Sequence, residues 1–146
     1  MQHTYLFERG RWSARGTLVD AQGDQASLSG SASVEHGENS WNVLGDLDTG
    51  PGVCCGFPGR CTLRPLSPRQ EQAEWEAHDD RLGHLSGVFL MVGDSILSTG
   101  ASDDGRFVVS EWMQQVDFDR YVARGVLLEE GARVSSWALE LERRAG

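Results

Sequence analysis

The 146-residue sequence is short of the features that mark several common classes of protein. No apolar run approaches the length of a membrane-spanning helix, and no stretch requires an amphipathic helix. The opening residues, MQHTYLFERG, carry charges and lack the apolar core of a signal peptide. The 3 cysteines are an odd number within one loop and make a poor disulfide framework. We therefore expect a protein of the reducing cytoplasm.

Positive charge is also scarce. The 13 Lys and Arg residues are outnumbered by 22 Asp and Glu residues, which gives a net charge of −9. Phosphate backbones and anionic membrane surfaces both need a basic protein face, so neither nucleic acid nor a membrane is expected as a partner. Much of the acidity falls in predicted turns, such as Asp103-Asp104 and Glu129-Glu130. These carboxylates are interpreted as solvated loop tips.

Motifs for hydrolysis and for phosphate binding are missing. The chain contains no G-x-S-x-G, no H-E-x-x-H and no glycine-rich loop between a strand and a helix, so no catalytic residue is assigned. The cluster Cys54, Cys55 and Cys61 has the spacing C-C-x5-C, which is not that of a zinc knuckle or ribbon. We expect no metal and no cofactor.

Glycine and short apolar runs are abundant. The chain has 18 Gly against 4 Pro, which is typical of many tight turns rather than of disorder. From Leu82 to Arg143, five strand-length runs are separated by turn signals such as Gly93-Asp94 and Glu130-Gly131. Their close spacing predicts an antiparallel meander.

The N-terminal half alternates between apolar and polar residues. The segment from Gly10 to Val19 and the segment from Ala26 to Val34 each place small or apolar side chains on one face and polar ones on the other. The small inner residues of the second segment leave room for a bulky side chain or a ligand. The residues just before the first strand, Tyr5 to Phe7, are predicted to be a short strand or a plug.

Two segments interrupt this pattern. Residues 48–59, rich in Gly, Pro and Cys, are predicted to be a loop, either a flap over a barrel mouth or a long connection. Residues 70–80 carry helix formers but also alternate, and a strand is favoured because both neighbours are strands.

The predicted fold is all-β: a single domain over residues 1–146 with an antiparallel up-and-down meander of eight to ten strands. So many twisted strands tend to close, which removes exposed edges, so a barrel is favoured over a two-sheet sandwich.

Gly10-Arg11-Trp12, at the start of the first strand, resembles the G-x-W motif of the lipocalins and related calycin barrels. The resemblance covers this tripeptide and the strand count. It implies a calycin-like closed barrel in which Trp12 caps one end, and in which Arg143 or Arg144 packs across the indole.

Aromatic residues within the strands are the candidate ligand contacts, because binding barrels use aromatic walls with few polar groups. The predicted ligand-binding residues are Trp41, Trp112, Tyr121, Arg124 and Trp137. Glu111 and Arg124 are considered as an interior pair for a polar head group or acid–base work, against the alternative of an outer salt bridge.

The favoured function is non-enzymatic binding of a small, largely apolar molecule inside the barrel. Two alternatives stay open: an isomerase or lyase acting on an apolar substrate in the same cavity, and an interaction module with a filled interior.

Several strands of the meander are apolar on both faces, notably residues 88–92, 107–109 and 126–128. Either a sandwich core or a partner subunit would cover the second face. Homodimerisation through the outer face of the meander is therefore a hypothesis.

Overall fold

The computed structural model describes residues 2–47 and 60–145, and these form ten β-strands. In chain order the strands are β1 (Gly10–Asp20), β2 (Gln25–His36), β3 (Trp41–Leu47), β4 (Arg60–Leu63), β5 (Gln72–Asp79), β6 (Gly83–Val92), β7 (Ser95–Ser102), β8 (Phe107–Asp117), β9 (Arg120–Glu129) and β10 (Ala132–Arg144). The segment around residues 70–80 is thus a strand, as predicted. The 48–59 loop, with its proposed flap, and with it Cys54 and Cys55, lies outside the described residues.

The strands form a closed antiparallel up-and-down barrel. Each strand pairs with its sequence neighbours, and β1 pairs with β10 from Arg11↔Arg144 to Asp20↔Ser135. The predicted all-β barrel is confirmed at the upper end of its strand count, and the sandwich alternative is wrong. Closure leaves the backbone groups of β1 and β10 paired with each other, so neither strand is an edge.

The predicted alternation assigns the inner and outer faces of the first two strands correctly. Trp12, Ala14 and Leu18 of β1 are buried in the barrel, as are Leu28 and other apolar residues of β2. Ala26, predicted to be an inner residue, is exposed because it lies near the start of β2, at the rim.

The N-terminal segment plugs one end of the barrel. Tyr5 and Leu6 are buried, and a turn rather than a strand spans residues 5–8. The Tyr121 hydroxyl accepts hydrogen bonds from the Thr4 and Tyr5 amides at 3.2 and 3.4 Å and lies 2.8 Å from Nδ1 of His3. These bonds hold the plug against β9. We call this the plugged end of the barrel.

Trp12 lies beneath this plug. Its indole packs edge-on against the rings of Tyr5 and Tyr121, with ring centroids 5.4 and 5.6 Å apart. Arg143 is its partner in the β1–β10 register, and the Arg143 guanidinium donates 2.7 Å to Oε2 of Glu8. The residue implied by the lipocalin resemblance is therefore beside Trp12, but its charge is bound to the plug.

Two indole rings lie flat on glycines of other strands, Trp137 on Gly125 of the neighbouring strand β9 and Trp75 on Gly100 of β7, one strand further away. A Cβ on Gly125 would lie 2.2 Å from Cζ2 of Trp137, and one on Gly100 would lie 2.4 Å from Cζ2 of Trp75. Only glycine leaves these ring positions open, because any side chain would occupy the space of the indole. The two rings are thereby fixed against the barrel wall, on the inner face.

No helix in the part of the chain that the structure describes is long and apolar enough to cross a membrane.

Candidate functional site

A cavity lies inside the barrel, between the plug and the opposite end. Tyr5 of the plug forms its floor, and Asp79 and Leu82 stand near the turn between β5 and β6 at the opposite end. Its walls are mainly apolar. The remaining lining residues are Val43, Gly45, Cys61, Trp75, Leu85, Phe89, Ser98, Val109, Glu111, Met113 and Leu127.

The cavity is narrow. Only about 50 Å³ of the space between these side chains is wide enough for the centre of a water-sized sphere. A single water needs roughly 10–15 Å³ by this measure, so the space holds a few waters or one small, flat molecule. A larger guest would require the walls to move.

Glu111 supplies the carboxyl group in the middle of the cavity wall. It alternates with Val109 and Met113 along β8 and points inward with them. The indole N–H of Trp137 donates a 2.7 Å hydrogen bond to its Oε2. The side chain is half-buried by surface area, but protein surrounds it on all sides and its free surface borders the cavity.

The interior setting changes the acidity of this carboxyl group. Burial raises the pKa of Glu111 to about 7, and the hydrogen bond from Trp137 opposes that rise. A low-polarity environment disfavours the charged form, whereas a donor to the carboxylate favours it. Near neutral pH the group can therefore hold or release a proton inside the barrel.

The tyrosine and the cysteine that line the cavity are neutral. Burial raises the pKa of the Tyr5 phenol well above its ordinary value, with the charge of Glu111 adding to the rise. Burial also raises the pKa of the Cys61 thiol to about 12, so Cys61 is not a reactive thiolate. The buried indole N–H of Trp75 has no hydrogen-bond partner among the described residues.

The five predicted ligand contacts are separated by the structure. Trp137 is buried inside the barrel and touches the cavity through Glu111. Tyr121 is buried at the plugged end, where its hydroxyl binds the plug. Trp41 is half-buried at the same end, stacked on His36 at a centroid distance of 3.7 Å.

Trp112 and Arg124 lie on the outer wall, directly opposite each other across β8 and β9. The interior pair of Glu111 and Arg124 does not form, because Glu111 and Arg124 point to opposite faces of the barrel. The guanidinium of Arg124 instead donates 2.8 Å to the Ala123 carbonyl. Ligand binding by the five residues stays a prediction, and Trp137 is the one nearest the cavity.

The alternation pattern of β8 does not fix the face on which Glu111 lies. The two apolar residues Val108 and Val109 obscured the phase of β8, since both faces look buried there. Trp112 and Met113 are also both apolar, so they leave the phase open too; the structure buries Met113, on the face that it shares with Glu111.

Among residues 2–47 and 60–145, no three His, Cys, Asp or Glu side chains are grouped closely enough to hold a metal ion.

Comparisons with known proteins identify the fold alone. No protein-family model matches the sequence, and no curated protein matches it. Among solved structures, the chain is similar to the S-type phycobiliprotein lyase CPES from Guillardia theta, with a TM-score of 0.65 and 10% identity. The match covers 97% of this chain and 92% of the lyase chain, so it includes the whole barrel.

Proposed function

We propose that this protein binds a small, largely apolar molecule inside its barrel without transforming it. The observation that carries the proposal is the cavity inside the barrel, whose walls are apolar apart from a few polar groups. Binding sites for small molecules have this character: an apolar lining with a small number of placed polar groups that fix orientation. We also propose that the barrel is calycin-like, which Trp12 at the plugged end and the closed meander support. We propose a cytoplasmic location as well, which the free thiol of Cys61 supports.

The similar solved structure supports the same proposal at the level of fold. By its name, that protein is a lyase that acts on phycobiliproteins. The shared barrel makes binding in the interior a natural use of this architecture. The small size of the present cavity favours a ligand of one or two rings.

Two neighbouring valines offer a matched test. Val109 lines the cavity, whereas Val108, the preceding residue, faces outward and is 36% exposed. Calorimetric titration with indene and naphthalene is expected to show saturable binding to the native protein. Val109→Phe should abolish it by filling the cavity, and Val108→Phe should leave it unchanged. Absence of binding to the native protein, or equal loss in both variants, would contradict the proposal and favour an interaction module with a filled interior.

A second candidate function is proton transfer to and from an apolar substrate. The raised pKa of Glu111, about 7, favours it, because a general base works best when its pKa lies near the working pH. The Glu111 carboxylate would take a proton from a carbon next to a carbonyl, and the carboxylic acid would then return a proton to the substrate.

Deuterium exchange tests this candidate. With 1-indanone in D2O, the native protein should accelerate loss of the C2 proton signal, with a rate that rises as Glu111 ionises. Glu111→Gln should remove the acceleration, and Glu140→Gln on the outer wall should not. Equal exchange rates with native and Glu111→Gln protein would exclude Glu111 as the base.

A further inference from the structure

The protein donates a hydrogen bond to only one of the two carboxyl oxygens of Glu111. Trp137 donates to Oε2, and no described residue donates a hydrogen bond to Oε1. The buried side-chain atoms that lack a hydrogen-bond partner among the described residues do not include Oε1. This oxygen therefore retains accessible surface. Because the free surface of Glu111 borders the cavity, this oxygen is available to a molecule inside it.

The nearest candidates within the protein do not fill this role. Ser98 is directly opposite Glu111 in the β7–β8 register, and both residues line the cavity, yet the Ser98 hydroxyl makes no hydrogen bond to the carboxyl group. The Tyr5 hydroxyl shares the cavity and does not reach it either. Among the residues that the structure describes, no Lys, Arg or His lines the cavity, so a charged Glu111 has no cation beside it there.

An interior carboxylate with a free oxygen in apolar surroundings favours a guest that donates a hydrogen bond. Charge-assisted hydrogen bonds are roughly twice as strong as neutral ones, and an unmatched buried acceptor carries a desolvation penalty. A guest with a hydrogen-bond acceptor in the same place would be repelled by the carboxylate.

The indole of Trp137 determines which oxygen is free. The ring is held against Gly125, which leaves no space for a side chain beneath it, and its N–H is thereby aimed at Oε2. The carboxyl group is therefore oriented before any guest arrives, which reduces the entropy lost on binding.

Resting on the function proposed above, we infer that Glu111 selects small, flat, apolar molecules that carry an N–H donor, which binds to Oε1. The narrow cavity sets the size and flatness of the guest, and Glu111 sets its chemistry. Trp137 acts as a positioning residue in this arrangement, because it orients the carboxyl group and does not contact the N–H of the guest.

Indole and benzofuran form a matched pair of probes, since they share one shape and differ in N–H against ring oxygen. Calorimetric titration at pH 8, where Glu111 is largely ionised, should show indole binding at least about tenfold more tightly than benzofuran. In Glu111→Gln, Trp137 donates to the amide oxygen and the amide NH2 faces the cavity. The preference for indole should then disappear while benzofuran still binds.

The outcomes separate the two proposals. Equal affinity of the native protein for both probes would overturn the selection by Glu111 but leave binding inside the barrel intact. Binding of neither probe would overturn both. Glu140→Gln, which removes an outer-wall charge, should keep the full preference for indole, and its loss there would show that net charge rather than Glu111 is responsible.

Discussion

The indole N–H of Trp137 and Oε2 of Glu111 are joined by a 2.7 Å hydrogen bond inside the barrel. Three adjacent strands contribute to this link, since Gly125 of β9 lies in register between Glu111 of β8 and Trp137 of β10. The absence of a side chain at Gly125 lets the indole lie flat and reach across to the carboxyl group. Gly125 therefore influences both the packing of the Trp137 ring and, through that ring, the pKa of Glu111.

Trp137→Phe should raise the pKa of Glu111 further above its value of about 7, because it removes the donor that partly opposes the effect of burial. Carbon-13 NMR titration of the glutamate carboxyl groups measures this directly. Trp112→Phe is the control: its exposed indole donates to Ser95 on the outer wall and should leave the titration of Glu111 unchanged. A lower pKa in Trp137→Phe would contradict the assigned role of the hydrogen bond.

Gly125→Ala should destabilise the protein by about 1–3 kcal/mol, since the new methyl group would overlap the Trp137 ring. Urea unfolding gives the change in the free energy of unfolding. In a Trp137→Leu background the same substitution should cost much less, because the ring is gone. Equal costs in both backgrounds would mean that the glycine is needed for the backbone rather than for the indole.

Glu111→Gln should change how stability depends on pH. The pKa of Glu111 is about 7 in the folded protein against an ordinary value of 4.5, so the folded state holds a proton that the unfolded state loses first. Its contribution to stability is therefore fully present below the ordinary pKa and is lost as pH rises to about 7.

Urea unfolding at pH 5 and pH 8 tests this difference. Relative to the native protein, Glu111→Gln should gain up to about 3 kcal/mol between the two pH values. Glu140→Gln, on the outer wall, provides a charge-matched comparison and should show no such gain. A gain of the same size in both variants would indicate a general effect of net charge.

Tyr121→Phe should loosen the plugged end. The hydroxyl accepts hydrogen bonds from the backbone amides of Thr4 and Tyr5, and its removal leaves buried donors unsatisfied. The expected loss is about 1–3 kcal/mol of stability. Hydrogen exchange should show faster exchange at these two amides, whereas Trp112→Phe should not affect them. Unchanged protection in Tyr121→Phe would show that packing alone holds the plug.

A homodimer through the outer face of the meander stays a prediction. Large apolar residues exposed on β6 and β8 and in the turn after β8 are Val92 at 56%, Val108 at 36%, Trp112 at 38%, Val116 at 47% and Phe118 at 60%. Sedimentation at micromolar concentration should show a dimer, and Trp112→Arg should shift it to monomer. A native monomer under the same conditions would rule this interface out.

The sequence predicts side-chain direction best in strands that have one solvent-exposed face. Alternation from Gly10 to Val34 placed nearly every side chain correctly, and the turn signals located the hairpins of the C-terminal half. It was least informative where both faces are apolar, because a shift of one residue exchanges the two faces. That ambiguity put Trp112 and Arg124 among the ligand contacts, while the strand pairing sends them outward and sends Glu111 inward.

Burial was harder still to foresee. The five tryptophans look alike in sequence, but glycines on other strands decide which rings lie flat inside the barrel. Gly125 faces Trp137 across a strand pair formed through a tight turn, and Gly100 reaches Trp75 only across the intervening strand β6. These contacts depend on register, which the sequence does not state.

The plug has a consequence for the shape of the interior. Tyr5 is at once a residue of the N-terminal segment and the floor of the cavity. Releasing that segment from Tyr121 would remove the floor and give the interior a second entrance. The barrel would then be open at both ends, and a small molecule could pass through it from one end to the other.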